Sequence, residues 1–244
     1  QMCIRDSKHA HANPNRLSQR HKQRGIWREY SFADVQRNVR EIALGMHQAG
    51  VKAGETIAII GENEPQHYWA EYAAHALGCK VVSMYPDLTS EEVAYLLDDS
   101  EAVILFAQDQ EQVDKGLDVR NKTLKMRHIV YWDETGMWSY NDPILQTFDG
   151  MQRQGREIHQ RNGKMYDALV DAGAPDDIAV LSYTSGTTGQ PKGVILTHRF
   201  LIDNAQRLID SMDVKPGMEY LSYIAPSWAT EQIYGITMGL GLPM

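Results

Sequence analysis

"TIAIIGENEPQHYWAEYAAHALGCKVVSM" (residues 56–84) holds two apolar runs, "TIAII" (56–60) and "KVVSM" (80–84), on either side of one long segment. Both runs are short and rich in β-branched residues, the pattern of strands buried on both faces. Pro65 suits the first position of a helix, where its fixed φ is helical and its missing N–H is not needed. That helix is predicted to run to about Leu77. Strands joined by a helix-length crossover lie parallel, since a tight hairpin cannot join them.

The same alternation continues outward. Upstream, "GIWREY" reads as a strand over 26–30, and Ser31 can cap a helix with Asp34 in its first turn. Phe32, Val35, Val39, Ile42 and Met46 recur at helical spacing, and Gly50 ends the helix. Downstream, Thr89 and Glu92 form a capping-box pattern for a helix from Ser90 to about Leu97. "AVILFA" (102–107) and "HIVYW" (128–132) are further strands. Residues 133–175 are less regular and read as a surface helix with loops. "DIAVLSYT" (177–184) and "GVILT" (193–197) restart the sheet, a helix follows over 200–211, and "EYLSYI" (219–224) reads as another strand before a helix in "EQIYGITMGL". The expected fold class is α/β, with helices on both faces of a largely parallel sheet.

Composition narrows the function. The chain has 244 residues, 43% hydrophobic and 23% charged, with net charge −8. No basic block is present, so an extended nucleic-acid surface is not expected. Cys3 and Cys79 lie far apart with no ligand pattern around them, which fits a reducing cytoplasm. His67 and His75 are eight apart and do not make an i, i+4 zinc pair, and neither H-E-x-x-H nor Gly-x-Ser-x-Gly occurs. The first fifteen residues, which include "QMCIRDS", read as a non-native or disordered start, and 16–244 as the structured part.

The chemistry concentrates in "SYTSGTTGQPKGVILTH" (182–198), a polar, glycine-rich loop after a buried strand. Glycines let backbone N–H groups converge on one point, hydroxyls add donors and a lysine adds charge. Together these make an anion cradle, usually for phosphate. The spacing is not the nucleotide P-loop, G-x-x-x-x-G-K-[ST]: five residues after Gly186 stands Pro191, and Lys192 is followed by Gly193. The dinucleotide pattern G-x-G-x-x-G is absent as well.

"YTSGTTGQPKGV" (183–194) resembles the phosphate-binding signature of the adenylate-forming superfamily, which includes acyl-CoA synthetases, luciferases and peptide-synthetase adenylation domains. The segment 50–107 is similar to the N-terminal half of those enzymes, with Glu55 where Asp is common. "GIWREYSFADV", "QVDKGLDVR" with "HIVYWDETG", and "YLSYIAPSWATEQIYG" (220–235) resemble the long-chain fatty-acid branch. The resemblance implies an incomplete N-terminal domain of such an enzyme, with substrates ATP, a fatty acid and CoA, and with Mg²⁺. It implies that Ser185, Gly186, Thr187, Thr188 and Gly189 wrap the β- and γ-phosphates, that Lys192 supplies catalytic charge, and that Thr184 helps hold Mg²⁺. Trp228 would line the acyl pocket or, on the plainer reading, be a core aromatic. Glu231 reads as a complement to a helix dipole and His198 as a local hydrogen-bonding residue. The family's Tyr-Gly-x-Thr-Glu segment, ribose-holding Asp and late Lys do not occur within the 244 residues. The expectation is therefore that this polypeptide does not complete adenylation by itself. The alternatives are a ligase for another carboxylate or a non-catalytic nucleotide-binding remnant. A cytoplasmic location is expected, with peripheral membrane contact open because long-chain acids partition into bilayers.

Overall fold

A computed structural model describes residues 10–184, 189–215 and 217–241. Its centre is a seven-stranded sheet: β3 (Thr56–Ile60), β4 (Lys80–Met84), β5 (Ala102–Ala107), β6 (His128–Tyr131), β7 (Leu145–Thr147), β8 (Ile178–Thr184) and β9 (Lys192–Thr197). The strand order is β7-β6-β5-β3-β4-β8-β9. Every neighbouring pair is parallel except the last, because β8 and β9 form an antiparallel hairpin. β3 and β4 are paired along five residues, whereas β4 meets β8 in the ladder only at Val81 and Val180. A separate antiparallel ribbon, β1 (Leu17–Gln23) and β2 (Ile26–Ser31), precedes the sheet.

Alternation along the strands divides the core in two. Ile57 and Ile59 of β3 pack with α1 (Phe32–Gln48), α2 (Pro65–Ala76), α5 (Phe148–Arg161) and α6 (Met165–Asp171). Ala58 and Ile60 point the other way, toward α3 (Ser90–Asp99) and α4 (Gln110–Val119). The period-two geometry of a strand produces this split. Strands covered on both faces have few polar positions, as the β3 and β5 runs show. The last helix of the set, α7 (His198–Ser211), packs Ala205 and Ile209 on Met238 of a terminal helical run.

Most expected elements form within one or two residues of their predicted limits. Ser31 and Asp34 make a reciprocal capping box on α1, and Thr89 and Glu92 make another on α3. Two expectations need correction. Residues 219–224 form no strand: they have no partner ladder, and Leu221 and Tyr223 are exposed. Residues 133–175 are not one surface helix. They contain β7 and two helices, and α5 buries Phe148, Met151 and Gln152 against α1. The approach of those helices is close, since a Cβ on Gly155 would lie 1.8 Å from the Glu41 carbonyl oxygen. The β1 strand and helix α4 were not anticipated. The terminal helix forms as expected but contains a π-helical turn over Gln232–Thr237, flanked by Ala229–Glu231 and Met238–Gly241.

Candidate functional site

The β8–β9 hairpin sets Thr184 directly across from Lys192, and Tyr183 across from Gly193. These pairs close the mouth of the glycine-rich loop. Ser185, Gly186, Thr187 and Thr188 lie outside the described residues. Gly189 follows with φ +156°, and a Cβ there would meet nothing within 4 Å, so backbone conformation alone asks for glycine. Thr184 and Lys192 are both exposed, and no ion pair to Lys192 occurs among the described residues. The sequence thus brings one hydroxyl and one cation to the same mouth.

Tyrosines fix the hairpin from below. The Tyr95 hydroxyl, on α3, donates to the Pro191 carbonyl at 2.8 Å, pinning the loop's returning end. The Tyr183 hydroxyl donates to Asp99 at 2.6 Å, and its ring lies under Gly193, where a Cβ would approach it to 3.3 Å. Burial, reinforced by the Asp99 carboxylate, pushes the Tyr183 phenol up. At the base of the hairpin, His198 is buried and meets His75 edge-to-face at 5.0 Å. Burial pushes His198 down to about 4 and His75 well below the ordinary imidazole range. Both rings therefore pack as neutral groups at neutral pH, and the His198 side chain packs rather than making the expected hydrogen bond, since its Nδ1 is buried with no partner among the described residues.

Trp228 is 56% exposed and precedes the terminal helical run. It is not a core aromatic. Its neighbour Ser227 presents a carbonyl to the Ser182 hydroxyl of β8 at 3.4 Å, so the strand feeding the loop touches the segment carrying Trp228. Glu231 lies in the first turn of that run, where a carboxylate suits the dipole. Its surroundings go further: it is fully buried and accepts hydrogen bonds from Tyr68 (2.9 Å), Ser222 (2.6 Å) and Tyr220 (2.8 Å). Glu71 is also fully buried, receives Gln232 Nε2 at 3.3 Å, and is pushed up to about 8 by burial. Nothing in the sequence marked Glu71. It stands inside an apolar helix pattern, and only its distant partners reveal that it is enclosed. A cavity of about 770 Å³ opens between β1 and residues 217–222, over Tyr68, Tyr72 and Gly235. Among the described residues, no helix is long and apolar enough to cross a membrane, and no three His, Cys, Asp or Glu side chains are placed to hold a metal ion.

The family model described as AMP-binding enzyme matches residues 7–242. The chain is 25% identical over 225 residues to the long-chain-fatty-acid–CoA ligase heimdall of Drosophila melanogaster, covering 88% of this chain and 32% of that protein. It is 26% identical over 223 residues to the human long-chain-fatty-acid–CoA ligase ACSBG1, covering 90% of this chain and 30% of that protein. The chain thus spans about a third of the length of these relatives. Among solved structures, acetoacetyl-CoA synthetase from Streptomyces lividans superposes with a TM-score of 0.77 at 19% identity, over 98% of this chain and 37% of that one. The anthranilate CoA ligase AuaEII, bound to anthranoyl-AMP, superposes with a TM-score of 0.70 at 21% identity, over 84% and 36%.

Proposed function

Because the chain belongs to the AMP-binding enzyme family of adenylate-forming acyl- and aryl-CoA ligases, we propose that it supplies the phosphate-holding part of a ligase that activates a long-chain fatty acid with ATP. In that reaction the carboxylate oxygen bonds to the α-phosphorus and pyrophosphate leaves. The thiol of CoA then takes the acyl group from the acyl-adenylate, and AMP is released. Charge grows on the departing pyrophosphate, and fixed N–H groups, hydroxyls and one cation lower the barrier by meeting it. The observation that carries the reading is the hairpin mouth, where Thr184 faces Lys192 across the register. Lys192 would neutralise phosphate charge, and residues 185–189 would wrap the β- and γ-phosphates. Mg²⁺ binds through a few oxygens plus substrate phosphates. The exposed Thr184 hydroxyl is one oxygen donor of that kind, and the described residues place no carboxylate cluster beside it. It would add one ligand to an ion arriving with the nucleotide.

Trp228 would border the acyl pocket. Its exposure and the Ser182–Ser227 contact to the loop strand support this, since both substrates must meet near one end of the sheet. Names of relatives near 25% identity favour a long-chain acid over an aryl or short one. The test is calorimetric titration of the 244-residue chain with ATP and Mg²⁺, then with hexadecanoate, benzoate and acetate. Saturable ATP binding that weakens about tenfold in Lys192→Ala, the loss of one charge-assisted contact, is expected. Absence of ATP binding would refute the loop assignment, and preference for benzoate would replace the fatty-acid reading with an aryl one. We expect the 244 residues alone to bind nucleotide without forming acyl-CoA, because they span a third of their relatives. Thioester formation by the purified chain would overturn that.

A further inference from the structure

We propose that Glu231 is a positioning residue whose buried carboxylate holds residues 219–228, and with them Trp228, against helix α2. The proposal rests on the reading of Trp228 as a border of the acyl pocket. Residues 219–224 have no strand partner, so backbone pairing does not fix them. Side chains do. The Tyr68 hydroxyl of α2 and the Ser222 hydroxyl both donate to Glu231 Oε1, and the Tyr220 hydroxyl donates to Oε2. Asn63, just before α2, donates from Nδ2 to Ser222 Oγ at 2.6 Å and to the Ile224 carbonyl at 2.8 Å. A chain of donors thus runs from Asn63 through Ser222 to the carboxylate. No cation pairs with Glu231 among the described residues, so hydroxyl dipoles alone satisfy it.

The backbone is shaped to admit this group. A Cβ on Gly235 would lie 1.8 Å from Glu231 Oε1. Gly235 stands in the π-helical turn, where Thr237 Oγ1 donates to the Gln232 carbonyl at 2.6 Å. Insertions of this kind in a helix are rare and concentrate at functional sites. Tyr68, Tyr220, Ser222 and Gly235 all line the 770 Å³ cavity as well as meeting Glu231. The carboxylate therefore sits behind the cavity wall and sets its shape, while Ser227 and Trp228 continue the same segment to the loop strand.

The experiment labels the 244-residue chain with 5-fluorotryptophan. Its five tryptophans give separate ¹⁹F signals, and Trp228→Phe identifies one of them. In Glu231→Gln and in Ser222→Ala, the Trp228 signal is expected to shift or broaden while those of Trp132 and Trp138 hold. Amide exchange across 219–228 is expected to accelerate about tenfold, the effect of losing one hydrogen bond to a charged group. Hexadecanoate should move the Trp228 signal in the unaltered chain, with affinity about tenfold weaker in both variants. An unchanged Trp228 signal with unchanged exchange in both variants overturns the proposal. So does full-strength hexadecanoate binding by both. If Glu231→Gln unfolds the chain, Ser222→Ala decides alone by the same criteria. A Trp228 signal that ignores hexadecanoate in the unaltered chain, yet shifts in the variants, rejects the acyl-pocket reading and leaves the clamp in place.

Discussion

Lys192 and Thr184 face each other because β8 and β9 pair in one register, and a one-residue slip would turn both away from the mouth. Tyr95 guards that arrangement through its bond to Pro191. Replacing it, Tyr95→Phe, should loosen the returning end of the loop. The expected outcome is ATP affinity lower by roughly fivefold with little change in melting temperature, since one partly exposed hydrogen bond contributes about 1 kcal/mol. Calorimetry and a thermal scan on the same sample check both halves. At this scale the sequence was readable where chemistry is local. The run of Thr, Gly and Lys stands out by composition, and the hairpin that brackets it at Thr184 and Lys192 forms where its flanking apolar runs predict. Glu231 was seen only as a carboxylate near a helix start, because Tyr68 comes from a segment far away in the chain and Tyr220 and Ser222 come from a stretch that reads as a strand. Glu71 was invisible for the same reason.

The elements follow from local signals wherever those signals were strong. β3 is continuous apolar sequence, α1 has its capping box and its spaced apolar face, and α3 opens on Thr89. Where a segment is polar, tertiary contact decides. Helix α4 carries Asp109 as its cap, but its sequence "QEQVDKGLDV" is mostly polar and Gly116 interrupts it. That glycine packs against Leu105, where a Cβ would come within 2.8 Å. The 219–224 segment shows the converse. Alternating Tyr, Leu, Ser and Tyr look like a strand, yet the segment pairs with no strand, and side-chain bonds from Tyr220 and Ser222 to Glu231 and from Asn63 to the Ile224 carbonyl hold it instead. The tightest helix contact gives a firm prediction. In Gly155→Ala the new methyl would strike the Glu41 carbonyl on α1. Separating α1 from α5 should destabilise the chain by about 3 kcal/mol, a fall of roughly 10 °C in melting temperature. An Ala variant that melts with the unaltered chain would show that the helices do not pack this closely.

Across the whole molecule, buried titratable groups set the response to pH. Burial pushes His67 down to about 3 and His198 to about 4, and drives His75 down as well. Unfolded histidines bind protons near 6.5, so these three stabilise the fold fully above that pH, and the stability is lost as pH falls below it. Glu71 acts in the opposite sense. Its folded value of about 8 lies above that of an unfolded Glu, so its contribution is full in acid and is lost as pH rises toward 8. Three histidines outweigh one glutamate on the acid side, and Glu71 acts between pH 6.5 and 8, below the range where the buried Cys79 thiol, also pushed up by burial, begins to matter. Melting temperature should therefore peak near pH 6.5. In Glu71→Gln the alkaline decline should disappear, since at most about 1.4 kcal/mol per pH unit is tied to that proton. A scan from pH 5 to 9 that stays flat above 6.5 in the unaltered chain would contradict this.

The meeting of β4 and β8 at Val81 and Val180 has a consequence for how the molecule comes apart. One rung joins the loop-bearing hairpin to the parallel strands, while five-residue ladders stitch β3 to β4 and to β5. Pulled or warmed gently, the sheet should tear along this seam. The hairpin would swing away as a leaf while β3, β4 and β5 stay zipped, so the loop it carries would be lost before the body behind it.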